Sequence, residues 1–585
     1  MQKHLLALAA ACCAIAAPVA QAAPADDLDR LMDDIYAARL KADPVAASAA
    51  GVEDYDRLLG DYSPAAMDAR AAQAAAFLAR LNTIDVAGLS PEDQADHAIV
   101  RRLLEETMAM NGFGQRLLAF SSYYSPWQGW AEISNSMQFV KGLDYEEYLA
   151  RLEAIPAASS QVVANTGAAL AAGHALPCVA VGGVEGSIRG AVAAAPEETR
   201  FYRPFARTRP ADLTQEQWAA LQERARATIS RTVAPAYGKA ADYIRDEYLP
   251  RCAKAAGALA QPDGAAFYAF RVGASTTTDL TPQQVHDIGL AEVARIAAEM
   301  ETVAATAGYR DRAAFVDKLR TDPAYYATTP EELLAAASAQ AKALDGLMPA
   351  YFNLLPRLPY GIRAVPAETA EGTTTAYYSS GSPVNGVAGH YYVNTSKLDQ
   401  RPLWELPALT AHEAVPGHHH QIALQQELAL HPLRREFAYF TAFTEGWGLY
   451  AERLGLDMGI YDTPEKDYGR LSYEMWRATR LVVDTGIHAL GWTKEQAVAF
   501  MTENTALSAA NIDAEVNRYI SWPGQALGYK LGELKIRQLR ERAEQELGPK
   551  FSLAAFNDAV LAQGPVPLDV LDTQIERWIT AQKNA

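Results

Sequence analysis

The chain has 585 residues, half of them hydrophobic, with a net charge of −18 and a pI of about 5.2. This balance excludes the basic surface that nucleic-acid binding requires, and the length permits a large buried core. No internal repeat or low-complexity linker divides the chain. Acidity of this degree favours solubility and indicates no cationic partner.

The first residues have the pattern of a secretory signal. A basic residue precedes a short apolar stretch rich in Leu and Ala, and Ala20-Gln21-Ala22 is a small-x-small cleavage site. We therefore predict a signal peptide at 1–22 and a mature chain that begins near Ala23. The protein is expected to be periplasmic or secreted, without an integral membrane span, because the apolar stretch is too short to cross a bilayer.

The four cysteines leave two questions open. A lipoprotein signal at Cys12 or Cys13, with outer-membrane anchoring, is the lower-ranked alternative, because neither cysteine has a Leu three residues before it. Cys178 and Cys252 remain in the mature chain, in an oxidising compartment where a disulfide persists. They either pair or stay as two isolated buried thiols.

Most of the mature chain predicts amphipathic helices. Ala-rich stretches such as "MDARAAQAAAFLARL" repeat apolar residues every three or four positions. A mainly α fold follows, with an N-terminal helical region at 23–330 and a metal-binding catalytic region at 331–585 in one continuous fold. One helix is expected to begin after Thr281, a capping residue followed by Pro282.

Between about 357 and 400 the pattern changes. The stretch "TTTAYYSSGSPVNGVAGHYYVNTS" places aromatic and Thr runs between Gly, Pro and Asn, which predicts a small β hairpin or pair of edge strands. An edge strand such as "GHYYVNT" could hydrogen-bond the backbone of an extended peptide. A purely structural hairpin is the alternative.

Four of the 11 histidines lie in "TAHEAVPGHHHQ". His412 and Glu413 begin the HExxH pattern of zinc proteases, but Pro416 holds the position of the second histidine. On a straight helix, neither His418 nor His419 would lie beside the first ligand. Because Pro and Gly distort helices, we predict that the Pro-Gly pair acts as an insertion that makes His418 the second ligand, with His419 as the alternative.

A third ligand is expected from a neighbouring helix. The stretch "FTEGWGLYAERLG" offers Glu445, followed by Gly446, which would let the metal helix approach closely, and Trp447, which can pack beside it. Two histidines and one glutamate leave a fourth position for water, as in a catalytic zinc site. We therefore predict Zn²⁺ as the cofactor, held by His412, His418 and Glu445, with Glu413 as the general base.

These motifs carry a family resemblance. "HEAVPGHHHQ", "EGWGLYAERLG", "RLVVDTGIHALGW" and "YISWPGQALGYKLGELKIRQLR" together resemble the bacterial domain-of-unknown-function family 885. That family looks like a distant relative of the helical gluzincin peptidases, which include angiotensin-converting enzyme, thimet-type oligopeptidases and the Thermus-type carboxypeptidase. The resemblance implies a large helical fold with a deep central channel. It also implies that His488 and Tyr529 stabilise the oxyanion, with Tyr519 as the next candidate.

One predicted helix carries a polar face. "WRATRLVVDTGIH" places Arg480, Asp484 and His488 at four-residue steps. Asp484 could orient His488, or Arg480 and Asp484 could form a structural ion pair. Arg480 or Arg518 is the candidate to receive a substrate carboxylate.

The leading hypothesis is a periplasmic zinc metallopeptidase that hydrolyses short peptides through metal-activated water. One alternative keeps the chemistry but takes a non-peptide amide or a peptidoglycan fragment as substrate. Another is a non-catalytic lipoprotein that binds a peptide or a metal. No feature of the sequence indicates an oligomeric state or distinguishes exopeptidase from endopeptidase action.

Overall fold

The computed structural model describes residues 23–370, 374–383 and 386–585. The predicted signal peptide and the alternative lipoprotein cysteines therefore lie outside the described residues. Within these ranges the protein is mainly α with one small sheet, which confirms the predicted fold class. None of the helices described there is both long and apolar enough to cross a bilayer.

Helices occupy most of the chain before the sheet. Thr281 begins one of them as predicted, since its hydroxyl accepts a hydrogen bond from the backbone N–H of Gln284 and Pro282 follows at the first helical position. The bounds are α1 Pro24–Ala42, α2 Pro44–Ala49, α3 Pro64–Leu81, α4 Pro91–Asn111, α5 Pro126–Ala131, α6 Gly142–Ala171, α7 Val184–Gly190, α8 Gln215–Thr228, α9 Ala234–Tyr243, α10 Gly264–Thr276, α11 Pro282–Thr306, α12 Arg312–Thr321 and α13 Pro330–Tyr351.

The sheet has three strands, β1 Tyr360–Ala364, β2 Ala376–Ser379 and β3 Gly389–Val393, with α14 Ala367–Ala370 after the first strand. β3 lies in the centre, parallel to β1 and antiparallel to β2. The predicted hairpin corresponds to β2 and β3. The expectation that "GHYYVNT" is an edge strand was wrong, because both edges of β3 are already paired and leave no edge for a peptide backbone.

Helices resume after the sheet and surround one long buried helix, α19. Its residues 468–488 are all buried, and it packs along α11, so one apolar core joins the chain before and after residue 330. The bounds are α15 Leu406–Glu413, α16 His418–Glu427, α17 Pro432–Phe437, α18 Thr441–Leu454, α19 Pro464–Ala489, α20 Lys494–Asn504, α21 Ala509–Ser521, α22 Leu527–Leu547, α23 Leu553–Leu561 and α24 Leu568–Asn584.

Buried ion pairs also join α11, α19 and α22. The Lys530 ammonium has no exposed surface and lies 2.8 Å from carboxylates of Glu474 and Glu533 and 3.0 Å from Glu292. A buried charge is tolerated when it is paired on several sides. This network fixes α19 and α22 relative to each other, and both helices carry side chains near the candidate site.

Cys178 and Cys252 form a disulfide, with their Cα atoms 5.0 Å apart. The bond closes a sequence separation of 74 residues between the turn before α7 and the segment after α9. Of the two alternatives that the sequence left open, the structure thus has the paired cysteines.

Candidate metal centre

Three side chains that the sequence predicts as metal ligands converge. One donor atom each of His412, His418 and Glu445 lies within 4.8 Å of the others. The Glu445 Oε2 is 3.7 Å from His412 Nε2 and 3.3 Å from His418 Nε2. Ligands at about 2.1 Å around a tetrahedral cation lie about 3.4 Å apart. The donor types and the spacing of this trio therefore fit a divalent cation such as zinc.

A break in the helix brings the trio together. α15 ends at Glu413 and α16 begins at His418, so the predicted helix distortion is a complete interruption over residues 414–417. A Cβ atom on Gly417 would lie 1.9 Å from the backbone oxygen of His412, a separation that no side chain tolerates. Glycine is therefore required where the chain turns back on the end of α15.

Helix α18 is held against this break by two neighbours of Glu445. The indole Nε1 of Trp447 donates a hydrogen bond to the Pro416 carbonyl at 2.8 Å, so Trp447 packs beside the metal helix as expected. A Cβ on Gly448 would meet the His412 ring at 2.8 to 3.1 Å. Gly448 therefore permits the close approach that the sequence assigned to Gly446.

Gly446 itself faces a different helix. A Cβ there would lie 2.5 Å from the Cα of Gly532 on α22. The expectation that Gly446 lets the metal helix approach was wrong, because one residue in a helix turns the side chain by about 100°. The small pair instead sets the distance between α18 and α22.

The remaining histidines of the motif point elsewhere. His419 Nδ1 is 3.0 Å from the Tyr378 hydroxyl, and its ring packs on Tyr360 at 4.5 Å between centroids. His420 packs on the Phe352 ring at 4.4 Å. Burial lowers the pKa of His419 to about 4 and that of His420 to about 3, so both are neutral near pH 7. His419, the alternative second ligand, is thus not part of the trio.

Glu452 is a member of the site that the sequence interpretation missed. Its Oε1 lies 2.7 Å from His412 Nδ1 and 3.5 Å from Arg477 Nη2, and the side chain is 1% exposed. A carboxylate in this position holds the Nδ1–H and presents Nε2 to the cation side. The available signal was spacing, because Glu452 follows Glu445 by seven residues and two helical turns restore the same face.

The charges of the trio compensate one another. Burial opposes protonation of His412, but hydrogen bonds to Glu445 and Glu452 outweigh it and raise the pKa of His412 to about 9. Burial would raise the pKa of Glu445, yet the two histidines hold that pKa well below its ordinary value. A cation and protons compete for these atoms, so we expect cation affinity to fall as the pH falls.

Glu413, the predicted general base, is the last residue of α15 and is 8% exposed. Its negative charge acts on the neighbouring His412. It also adds to burial, the largest cause, in raising the pKa of Tyr391 on β3. Glu413 therefore lies between the first histidine of the trio and the sheet.

His488 does not lie where its predicted role requires. Its Nδ1 accepts a hydrogen bond from the Ala258 backbone N–H at 3.1 Å, and its Nε2 lies 3.0 Å from the Tyr519 carbonyl. With both ring nitrogens bound to backbone groups, no N–H remains for an oxyanion. Asp484 does not orient this ring either, since its carboxylate accepts a 2.6 Å hydrogen bond from the Tyr268 hydroxyl.

Two arginines and two tyrosines gather around one glutamate. This arginine–tyrosine cluster consists of Arg480, Glu515, Arg518, Tyr519 and Tyr529. Arg480 donates to the Tyr519 hydroxyl at 3.1 Å and to Glu515 at 2.9 Å. Arg518 donates to the Tyr529 hydroxyl at 3.1 Å. Tyr519, the second tyrosine candidate, is thus engaged within the cluster.

Tyr439, just before α18, connects the cluster with the trio. Burial raises the pKa of its phenol most, followed by the charge of Glu445, which also accepts its hydrogen bond, while Tyr529 and Arg518 act on it as well. Water nevertheless reaches 59% of the Tyr439 surface. A side chain that is surrounded by protein yet wet lines a recess, so Tyr529 lies one tyrosine away from Glu445 along this recess.

The fold and the site together define a mainly α protein with a buried cluster of two histidines and one carboxylate. The family model described as "Bacterial protein of unknown function (DUF885)" matches residues 44–575, and the chain belongs to this family. None of the curated proteins compared matches the chain.

Two solved structures share the fold. One is titled a "putative lipoprotein" from Colwellia psychrerythraea, at 29% sequence identity and a TM-score of 0.86, and the similarity covers 96% of this chain and all of the other. A second, titled a lipoprotein of unknown function from Shewanella oneidensis, is 20% identical with a TM-score of 0.71 and covers 95% of this chain and all of the other. The second likeness concerns the fold alone.

Proposed function

We propose that this protein is a zinc-dependent peptidase that hydrolyses short peptides outside the cytoplasm. The observation that carries the proposal is the spacing of 3.3 and 3.7 Å between Glu445 and the two histidines. Two imidazoles and a carboxylate form the ligand set of catalytic zinc sites, which keep a fourth position open. The same donor set, on a helical fold, supports the relationship to the gluzincin peptidases.

Each neighbouring side chain has a chemical task in this proposal. Zinc held by the trio would lower the pKa of a bound water to about 7 and polarise a carbonyl group. Glu413 accepts the proton of the attacking water and passes it to the leaving amine. Arg518 donates to the Tyr529 oxygen, which turns the phenol proton away from the guanidinium and toward a developing oxyanion.

Short peptides are the proposed substrates because the donor atoms lie deep. The His412 side chain is 3% exposed and that of Glu445 is 13% exposed. The flexible end of a short peptide can reach such atoms, whereas the surface of a folded protein cannot. The Cys178–Cys252 disulfide supports a location in an oxidising compartment. The lipoprotein titles of the two solved relatives support a membrane-anchored form of that location.

The test compares Glu413→Gln with wild type. We expect the variant to bind one zinc per chain, as wild type does, and to lose about 10²- to 10⁴-fold in kcat/KM on a short-peptide library. Glu436→Gln is the matched control, because that carboxylate pairs with Arg435 in a partly exposed position on the chain just before α18. Its rate is expected to equal that of wild type.

Two results would contradict the proposal. A Glu413→Gln variant as active as wild type would remove the general base. Zinc-loaded wild type that cleaves no peptide, but cleaves peptidoglycan fragments or another amide, would favour the alternative hydrolase. Zinc-loaded wild type that binds peptides without any turnover would favour a binding lipoprotein.

A further inference from the structure

We propose that the arginine–tyrosine cluster binds the free C-terminal carboxylate of the substrate, so that cleavage occurs near the C-terminus of a peptide. This inference rests on the proposed peptidase function and names its substrate class. It follows from the charge of the cluster, from the bonding of its guanidinium groups and from its position along the recess.

The cluster carries one positive charge more than its own carboxylate neutralises. Glu515 lies 2.9 Å from Arg480 and 3.6 Å from Arg518, so a single carboxylate faces two guanidinium groups. Arg480 is only 2% exposed. A charge removed from water requires a counter-charge. A ligand carboxylate would supply the missing negative charge.

The hydrogen bonds of the two arginines leave donors for such a ligand. Among the described residues, the buried Nη1 of Arg480 has no hydrogen-bond partner. The guanidinium of Arg480 is stacked between Trp476 and Tyr529, at 4.7 and 4.4 Å from the ring centres, so its position is fixed. Arg518 uses Nη2 for Tyr529 and Gln525, while its Nη1 has only the 3.6 Å approach to Glu515.

Arg518 is the residue that a ligand would contact. Its side chain is 19% exposed, whereas that of Arg480 is 2% exposed. A planar guanidinium with a free edge is suited to a carboxylate, which it can bind through two parallel hydrogen bonds. We therefore assign Arg480 to positioning, through its bond to Glu515 and its stacking on Tyr529, and Arg518 to contact.

The recess aims this guanidinium at the metal centre. Tyr439 contacts Glu445 at one end and is acted on by Arg518 at the other. Tyr123, which is 44% exposed, continues the aromatic wall, since both Glu515 and Arg518 act on its phenol. A peptide with its scissile carbonyl at the trio would extend along these rings, and its terminal carboxylate would meet Arg518.

The experiment uses zinc-loaded full-length protein and pairs of peptides that differ only in a C-terminal carboxylate or amide. We expect wild type to prefer the free acid by about 10- to 100-fold in kcat/KM, mainly through KM, because charge-assisted hydrogen bonds are lost with the amide. Mass spectrometry is expected to show cleavage near the C-terminus. In Arg518→Gln the ratio of acid to amide falls to within about threefold of one.

A matched control separates this effect from misfolding. Arg357→Gln removes an exposed guanidinium that pairs with Glu427, away from the cluster, and is expected to keep the wild-type ratio. Zinc content of Arg518→Gln, measured in the same samples, is expected to equal that of wild type. Arg518→Lys, which keeps the charge without the planar fork, is expected to restore part of the preference.

The possible results distinguish the two proposals. Equal cleavage of acid and amide by wild type, or cleavage far from the C-terminus, would overturn this inference and leave the peptidase proposal intact. An unchanged ratio in Arg518→Gln would also overturn it. Absence of cleavage of any peptide by zinc-loaded wild type would overturn both.

Discussion

Replacement of Glu452 by Gln tests how the first ligand is held. The variant keeps the shape of the side chain and an oxygen that can accept from His412 Nδ1–H, but it removes the negative charge now 2.7 Å away. Loss of such a partner behind a metal-bound histidine costs about 10- to 100-fold in metal affinity. This equals about 1.4 to 2.7 kcal/mol. Arg477, 3.5 Å from Glu452, also loses its counter-charge, so the free energy of unfolding is expected to fall.

The assay is competition between the protein and a zinc chelator at pH 7. Dissociation constants of wild type, Glu452→Gln and Glu216→Gln are compared. Glu216 is an exposed residue in the first turn of α8 and serves as the control. A Glu452→Gln variant that binds zinc within twofold of wild type would show that the carboxylate does not hold the first ligand.

Three further predictions concern backbone space, pH and the disulfide. Gly417→Ala places a Cβ 1.9 Å from a backbone oxygen and is expected to abolish zinc binding, whereas Gly346→Ala, with no atom within 4 Å, keeps it and stabilises α13 by up to about 1 kcal/mol. Burial raises the pKa of Asp484 to about 7, above the unfolded value of about 3.9. Its stabilising contribution is therefore full below about pH 4 and lost as the pH rises to about 7, so urea unfolding should show Asp484→Asn gaining up to about 4 kcal/mol on wild type across that window. The double variant Cys178→Ala, Cys252→Ala is expected to lose about 4 kcal/mol of unfolding free energy, since the bond spans 74 residues, and an unchanged denaturation midpoint would refute this.

Local sequence patterns predicted the parts of the fold that depend on neighbouring residues. The cap at Thr281 and the helical periodicities are of this kind, because a helix is stabilised by contacts three and four residues apart. The sheet was predicted incompletely. Tyr360 pairs with Gly389, and the strand that places β3 in the centre follows a Pro-containing segment without strong alternation. Such pairing depends on chain positions that no local pattern relates.

The candidate ligands could be predicted because the chemistry of a cation restricts the residue types. His412, His418 and Glu445 stood out by type and by context, and the structure brings them together. Tyr439 was missed because its approach to Glu445 depends on how the loop before α18 is folded. His488 was chosen from a helix face, while its partners are backbone groups from distant parts of the chain, which periodicity cannot show.

The central claim is that the interrupted motif forms a zinc site with His418 and not with its neighbour. The most direct test is elemental analysis of wild type, His418→Ala and His419→Ala, purified in the same way, with circular dichroism to establish that each is folded. The account predicts one zinc per chain in wild type and in His419→Ala, and none in His418→Ala. Wild type without zinc after the metal is supplied, or a folded His418→Ala variant that keeps it, would contradict the account.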